Sequence, residues 1–243
     1  MRLFLIRHGE PDYAHDCLTP LGREQAKAAA KRLSGEKLEL IYSSPNGRAQ
    51  ETARYTAEQF HLPIVTLPWM HEISWGGEDV PENGHPWTLG NWMLQEGFDW
   101  YHQDWRLHPY FQKNVATECF GMIAEQLDAL LAEHGYVHDG LRFFCEQESR
   151  RNVALFSHGG SGACVLSHLL QLPFPYVSSV LPYDFTSIII VNFPSAPGEY
   201  VFPRLELFND CAHLAQDSAP VLQQKPDQAL KTGPWSVHQR NTD

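Results

Sequence analysis

The stretch "LFLIRHGEP" (Leu3–Pro11) sets four apolar residues directly before an arginine, a histidine, a glycine, an acid and a proline. A short, unbroken apolar run suits a strand buried on both faces rather than an amphipathic helix. Two later runs repeat the design. "LELIYS" (Leu38–Ser43) leads into Ser44-Pro45-Asn46-Gly47-Arg48, and "VALFS" (Val153–Ser157) leads into His158-Gly159-Gly160. Helical patterns follow each of them. In "TPLGREQAKAAAKRL" (Thr19–Leu33), Thr19 caps, Pro20 takes the first turn, and Ala26, Ala29, Ala30 and Leu33 mark the inner face. "SPNGRAQETARYTAEQF" (Ser44–Phe60) reads as a second helix capped by Ser44, and "SGACVLSHLLQL" (Ser161–Leu172) as a later one. With a brief strand at His61–Thr66, the order β-α-β-α-β predicts an α/β fold with a parallel sheet covered on both faces.

Further along, Asn114–Glu133 predicts a helix, "GLRFFCEQESRRN" (Gly140–Asn152) a short hairpin, and "SIIIVNF" (Ser187–Phe193) a late central strand. "VFPRLELF" (Val201–Phe208) reads as an edge strand because Pro203 lacks a donor. Residues 69–110 differ from the rest. They hold six of the seven tryptophans, with weak periodicity, and predict an insertion or lid. That segment either lends apolar surface to a substrate or forms a packed subdomain or oligomer contact. The expected division is a domain over residues 1–213 and a polar tail over 214–243.

The chain has 243 residues, of which 43% are hydrophobic, and a formal net charge of −11. This is a globular composition. An acidic surface argues against nucleic acid or an anionic membrane as partner, and any anion that binds needs a local basic pocket. The five cysteines are scattered without a C-x-x-C spacing, which predicts reduced thiols in a cytoplasmic protein. No apolar run approaches the ~18 residues of a membrane span.

Ligands of parallel α/β sheets bind at the carboxyl ends of the strands. Here three strands end in Arg7-His8, in the Ser44–Arg48 stretch, and in His158. Side by side, they bring two arginines and two histidines to one rim. Arginine offers a planar fork of donors to phosphate. Helix N-termini after Ser44 and Gly159 add N–H groups. A neutral imidazole can attack phosphorus in line, and the leaving alkoxide then needs a carboxylic acid of raised pKa. Glu10 reads as a loop holder, and Arg54 as solvated.

"LIRHGEP", "LTPLGREQA", "IYSSPNGRAQETA" and "LFSHGG", in that order over roughly Met1–Pro173, resemble the histidine phosphatase superfamily, the phosphoglycerate mutase-like proteins. The resemblance implies a three-layer α/β/α sandwich with a mostly parallel central sheet. It implies His8 as nucleophile, Arg7, Arg48 and His158 as the phosphate pocket, and His158 as a further catalytic group. It places the proton donor at Glu72, in "HEISWGG", with Glu78 and Asp79 as alternatives and His71 alongside. It requires no cofactor and no metal. The phosphatase branch fits best, because no added arginine or lysine lies between Glu72 and Trp105 to hold a second anion. The expected partner is a small phosphorylated substrate, and exposed tryptophans would favour a homodimer. The rivals are a mutase or phosphotransferase, an idle relative that only binds a phosphorylated ligand, and, more remotely, a metallohydrolase using His8, His71 and His158.

Overall fold

The structure, a computed structural model, describes residues 1–215. The expected polar tail lies outside the described residues except for its first two positions.

Alternation along single strands shows how the sheet is covered. In β1 (Arg2–Arg7), Leu3 and Leu5 enter one hydrophobic cluster while Phe4 and Ile6 enter another. The same division runs through β8 (Asn152–Ser157), with Val153 and Leu155 against Ala154 and Phe156. Two apolar faces require two covering layers. The first face packs under α5 (Val115–Glu133) and α6 (Gly159–Leu170), and the second under α1 (Pro20–Leu33) and α2 (Gly47–Phe60). Leu5 is fully buried in β1. Leu5→Ala is therefore expected to cost about 2–5 kcal/mol, read by denaturant unfolding, with an unchanged midpoint contradicting this packing.

The main sheet has six strands in the order β11-β9-β1-β8-β4-β5. It includes β4 (Leu40–Ser43), β5 (Ile64–Thr66), β9 (Ile188–Asn192) and β11 (Arg204–Asp210). Three of its pairings are parallel, β1 with β8, β8 with β4, and β4 with β5. The β9 pairings with β1 and β11 are antiparallel. The expected three-layer, mostly parallel sandwich is thus present. Pro203 falls just before the edge strand rather than within it, and two register shifts interrupt β11 against β9.

The smaller elements complete the chain. β2 (Pro11–Asp12) pairs with β3 (Cys17–Leu18). The expected hairpin is β6 (Tyr136–Asp139) with β7 (Arg142–Cys145), begun a few residues earlier than predicted, and β10 (Tyr200–Val201) joins its edge. Thr19 caps α1 as predicted, its hydroxyl accepting from Gly22 N–H at 3.0 Å. The Ser44 cap is corrected: α2 begins at Gly47 with Asn46 at its cap position.

The aromatic segment carries α3 (Pro86–Gln95) and α4 (Pro109–Gln112). It divides between the two readings. Trp105 is buried, and Trp69, Trp92 and Trp100 pack against the core. Trp75 stays 40% exposed and, with Trp87, faces a cavity. α7 (Phe174–Val180) packs against α3 and α6. None of the five cysteines is in a disulfide. Among the described residues, no helix is long and apolar enough to cross a membrane.

Candidate active site

The parallel register sets the site. Arg7 pairs with Ser157 and Ser43 with Phe156, so β1, β8 and β4 end together. The residues that follow them, His8, His158 and Ser44, therefore share one rim. His8 N–H donates to Ser157 at 3.0 Å, and Ser44 N–H donates to Phe156 at 2.9 Å, carrying the pairing past the strand ends.

His8 is 1% exposed. Its Nδ1 lies 2.7 Å from the Gly9 carbonyl. A carbonyl only accepts, so Nδ1 carries the proton and Nε2 keeps its lone pair. Arg48 Nε–H points at that lone pair from 3.4 Å. Burial, helped by the charges of Arg7 and Arg48, pushes the His8 pKa down to about 3. The ring is neutral throughout the range in which a nucleophile is needed.

His158 is fully buried, its ring centroid 5.1 Å from that of His8. Ser44 Oγ sits 2.6 Å from His158 Nε2 and donates to Asn46 Oδ1 at 3.1 Å. With the hydroxyl proton on Asn46, Ser44 accepts from Nε2–H, and Nδ1 is left with its lone pair. Burial first, then the proximity of His8 and the charges of Arg48 and Arg7, push the His158 pKa down to about 2.

Arg7 donates through Nη1 to the Tyr183 carbonyl at 2.5 Å, and its Cζ lies 4.3 Å over the Phe185 ring. Arg48 is held by Asp16, with Nη1 2.5 Å from Oδ1. Burial opposes ionisation of Asp16, but the Gly47 N–H and Arg48 outweigh it and hold its pKa below the ordinary value. Two buried polar atoms at this rim, Arg7 Nε and His158 Nδ1, have no hydrogen-bond partner within the protein. Such atoms are costly to leave unpaired, and an oxyanion would satisfy the donor outright.

Glu72 reaches the rim from the loop after β5. Its Oε1 accepts from Ile73, Gly160 and Ser161 N–H at 3.0, 3.1 and 3.0 Å, whereas Oε2 has only a long 3.4 Å contact with Gly160. Gly160 is required here, since a Cβ would lie 2.7 Å from Glu72 Oε1 and 2.5 Å from Ile73. Burial raises the Glu72 pKa, outweighing these N–H groups and the charge of Arg7. Oε1 is thus anchored as an acceptor, and Oε2 is the oxygen free to carry a proton. The α6 N-terminus was expected to face phosphate; instead the N–H groups of Gly160 and Ser161 are taken up by Glu72.

All five anticipated residues, Arg7, His8, Arg48, Glu72 and His158, meet here. Glu78 and Asp79 are exposed on the surface. His71 turns Nδ1 to the Glu72 carbonyl at 2.8 Å. His8, His71 and His158 do not gather their nitrogens about one point, so the metallohydrolase geometry is not formed. Glu10 holds its loop, accepting from Thr19 Oγ at 2.6 Å. Sequence reasoning missed Ser44 as the partner of His158, and Asp16 and Asn46 altogether.

Two neutral buried histidines make the fold acid-sensitive. Their pKa values are lowered from 6.5, so between about pH 6.5 and 3 the unfolded chain binds more protons than the folded one. Stability is then complete above pH 6.5 and lost on acidification, by up to about 1.4 kcal/mol per pH unit for each histidine. Unfolding free energies measured from pH 6.5 to 5 are expected to fall less steeply in His158→Ala than in the parent. Parallel slopes would contradict the neutral assignment.

Beside this rim, Arg7, Glu72, Trp75, His85, Trp87 and Asp184 are among the residues lining a cavity of about 670 Å³. The His85 ring lies 5.1 Å from that of Trp87, tilted by 31°, and Trp75 meets both edge-on. Among the described residues, Arg7 is the only arginine or lysine in the lining.

The chain is 26% identical over 185 residues to adenosylcobalamin/alpha-ribazole phosphatase of Escherichia coli (strain K12), covering 71% of this chain and 81% of the relative. It is 26% identical over 232 residues to a probable phosphoglycerate mutase of Yersinia pestis (strain Pestoides F), covering 92% and 99%. The solved structure of a mycobacterial glucosyl-3-phosphoglycerate phosphatase superposes with a TM-score of 0.58 at 26% identity, covering 86% of this chain and 98% of that one. The family model for branch 1 of the histidine phosphatase superfamily matches residues 3–202, and the chain belongs to that superfamily.

Proposed function

We propose that the chain hydrolyses a phosphomonoester whose leaving group carries no second anion, through a phosphohistidine on His8. The cavity carries this reading. A mutase must hold a second phosphate or a carboxylate, and among the described residues the lining offers no arginine or lysine for it beyond Arg7, which faces the transferring phosphoryl group. Trp75, His85 and Trp87 suit an uncharged ring or sugar.

The steps balance. His8 Nε2 forms a bond to phosphorus as the phosphorus–oxygen bond to the leaving group breaks, and Glu72 Oε2 gives its proton to the departing oxygen. Arg7 and Arg48 stabilise the equatorial oxygens. Added negative charge from the bound phosphoryl group raises the His158 pKa, so that Nδ1 takes up one proton from solvent, donates it in a hydrogen bond to an equatorial oxygen, and returns it to solvent when inorganic phosphate leaves. The Glu72 carboxylate then removes a proton from water, whose oxygen attacks phosphorus while the bond to Nε2 breaks. Inorganic phosphate leaves, and His8 and Glu72 return to their starting states.

The relatives named as phosphatases support hydrolysis. The long match to a probable mutase favours a second reading, transfer to an acceptor hydroxyl. Product analysis in excess chelator separates the two. Phosphomonoesters of uncharged alcohols are expected to give free phosphate, with kcat/KM at least about tenfold above that of phosphoglycerates, the scale of one lost ionic contact. Preferential phosphoryl transfer between phosphoglycerate positions would overturn the proposal.

A further inference from the structure

A second cluster of titratable side chains lies away from the catalytic rim. Asp128 of α5, His138 of β6 and His168 of α6 each offer one ligand atom, and these atoms all lie within 4.8 Å of one another. His168 follows His158 by ten residues along α6, roughly 15 Å of helix, so the cluster is separate from the active site.

The hydrogen bonding of His138 is the informative feature. Its Nδ1 lies 3.0 Å from Asp128 Oδ2, and its Nε2 lies 2.7 Å from the Gly140 carbonyl. Both partners are acceptors, and a neutral imidazole has only one N–H. The short carbonyl contact puts that N–H on Nε2, with the Gln171 amide further off at 3.2 Å. Nδ1 then presents a lone pair to a carboxylate, an arrangement that repels unless a cation stands between them. The same carboxylate also meets His168, its Oδ1 2.7 Å from Nε2. A ring whose far nitrogen donates to a backbone carbonyl has the outer support usual for a metal ligand. Stacking on Phe143, at 4.7 Å and 16° between planes, fixes the orientation of His138.

We propose that Asp128, His138 and His168 form a binding site for one divalent transition-metal ion, zinc or cobalt in type. Two imidazoles and one carboxylate are the donors such ions take, whereas calcium and magnesium ask for oxygen alone. Tetrahedral zinc with bonds of 2.0–2.1 Å separates its ligand atoms by roughly 3.3 Å, and the three candidate ligand atoms here lie within 4.8 Å of one another, so a small closing movement would seat the ion. The fourth position is open to water, and the Asp128 side chain is 33% exposed, which gives an ion a route in. The ion would stand between the carboxylate and the His138 lone pair, displace the His168 Nε2 proton if one is there, and pin α5, β6 and α6 together. Its role is structural, at the end of α6 remote from Glu72.

The test uses the full chain, stripped with chelator and titrated with Co²⁺ and then Zn²⁺ at pH 7.5 and pH 6. One Co²⁺ per chain is expected, with visible bands of a four- or five-coordinate ion and no thiolate charge-transfer band. Binding should weaken at pH 6, where protons compete, and Zn²⁺ should displace the colour and raise Tm. Asp128→Asn and His168→Gln, checked for fold by circular dichroism, are each expected to weaken binding at least about 100-fold, the upper range seen for outer-shell partners. Phosphatase turnover should be unchanged in both. Absence of binding at millimolar metal would overturn the proposal. Unchanged binding in the two variants, or a thiolate band from Cys17 or Cys211, would overturn it by placing the ion elsewhere.

Discussion

His8→Ala is expected to lower kcat by at least about 10⁴-fold on any phosphomonoester the parent turns over, because it removes the imidazole proposed to take the phosphoryl group. Arg48 and Arg7 are cations without a lone pair to offer. His158 has a lone pair on Nδ1, but its Nε2 is engaged by Ser44 and the ring is fully buried. The variant removes the Nδ1 contact to the next residue's carbonyl and the long 3.4 Å contact from Arg48 Nε–H, while Asp16 still holds Arg48. Circular dichroism and Tm establish that the fold is retained. Steady-state turnover in chelator then reads the chemistry. A loss below tenfold would mean that water attacks directly.

Glu72→Gln is expected to give the second-largest effect, a fall of about 10²–10⁴-fold in kcat, and the size should depend on the substrate. An alkyl phosphate needs a proton on its leaving oxygen, so its first step slows fully. A nitrophenyl phosphate leaves readily without one, so its first step slows little, and the lost base shows in the second step as accumulated phosphoenzyme. The pH profile carries the same information. Glu72 acts as an acid only while protonated, and burial raises its pKa. Alkyl phosphate turnover is expected to decline as pH rises through that raised value, and the decline should vanish in Glu72→Gln. Gln retains an oxygen for the Ile73, Gly160 and Ser161 N–H groups, so the loop stays anchored. Equal losses on both substrates would assign Glu72 a positioning role only.

The strand-end residues were legible because alternation and apolar runs define where a buried strand stops. Once β1, β8 and β4 are parallel neighbours, Arg7, His8 and His158 have nowhere to go but one rim. Ser44 was misread for a physical reason. Serine before proline at the head of a helix matches a capping pattern, but its hydroxyl is drawn across the sheet to His158, a contact that local sequence does not encode. The α6 N-terminus was read as a phosphate donor by the same local logic, and Glu72, from a distant loop, occupies it. Asp16 precedes any helix and carries no motif, yet it fixes Arg48. The tryptophan-rich segment mixes core and cavity residues without a period, so composition alone could not divide Trp105 from Trp75. Asp128, His138 and His168 lie far apart in the chain on three elements, and only their packing brings them together.

The central claim is that His8 Nε2 carries the phosphoryl group. Mixing enzyme with substrate, quenching in alkali, where phosphohistidine survives, and mapping peptides by mass spectrometry tests it directly. The account predicts one phosphoryl group on the peptide containing His8, attached at Nε2 by ³¹P NMR, formed faster than turnover and missing in His8→Ala. A phosphoryl group on another residue, or turnover with none detectable on His8 even in Glu72→Gln, would contradict it.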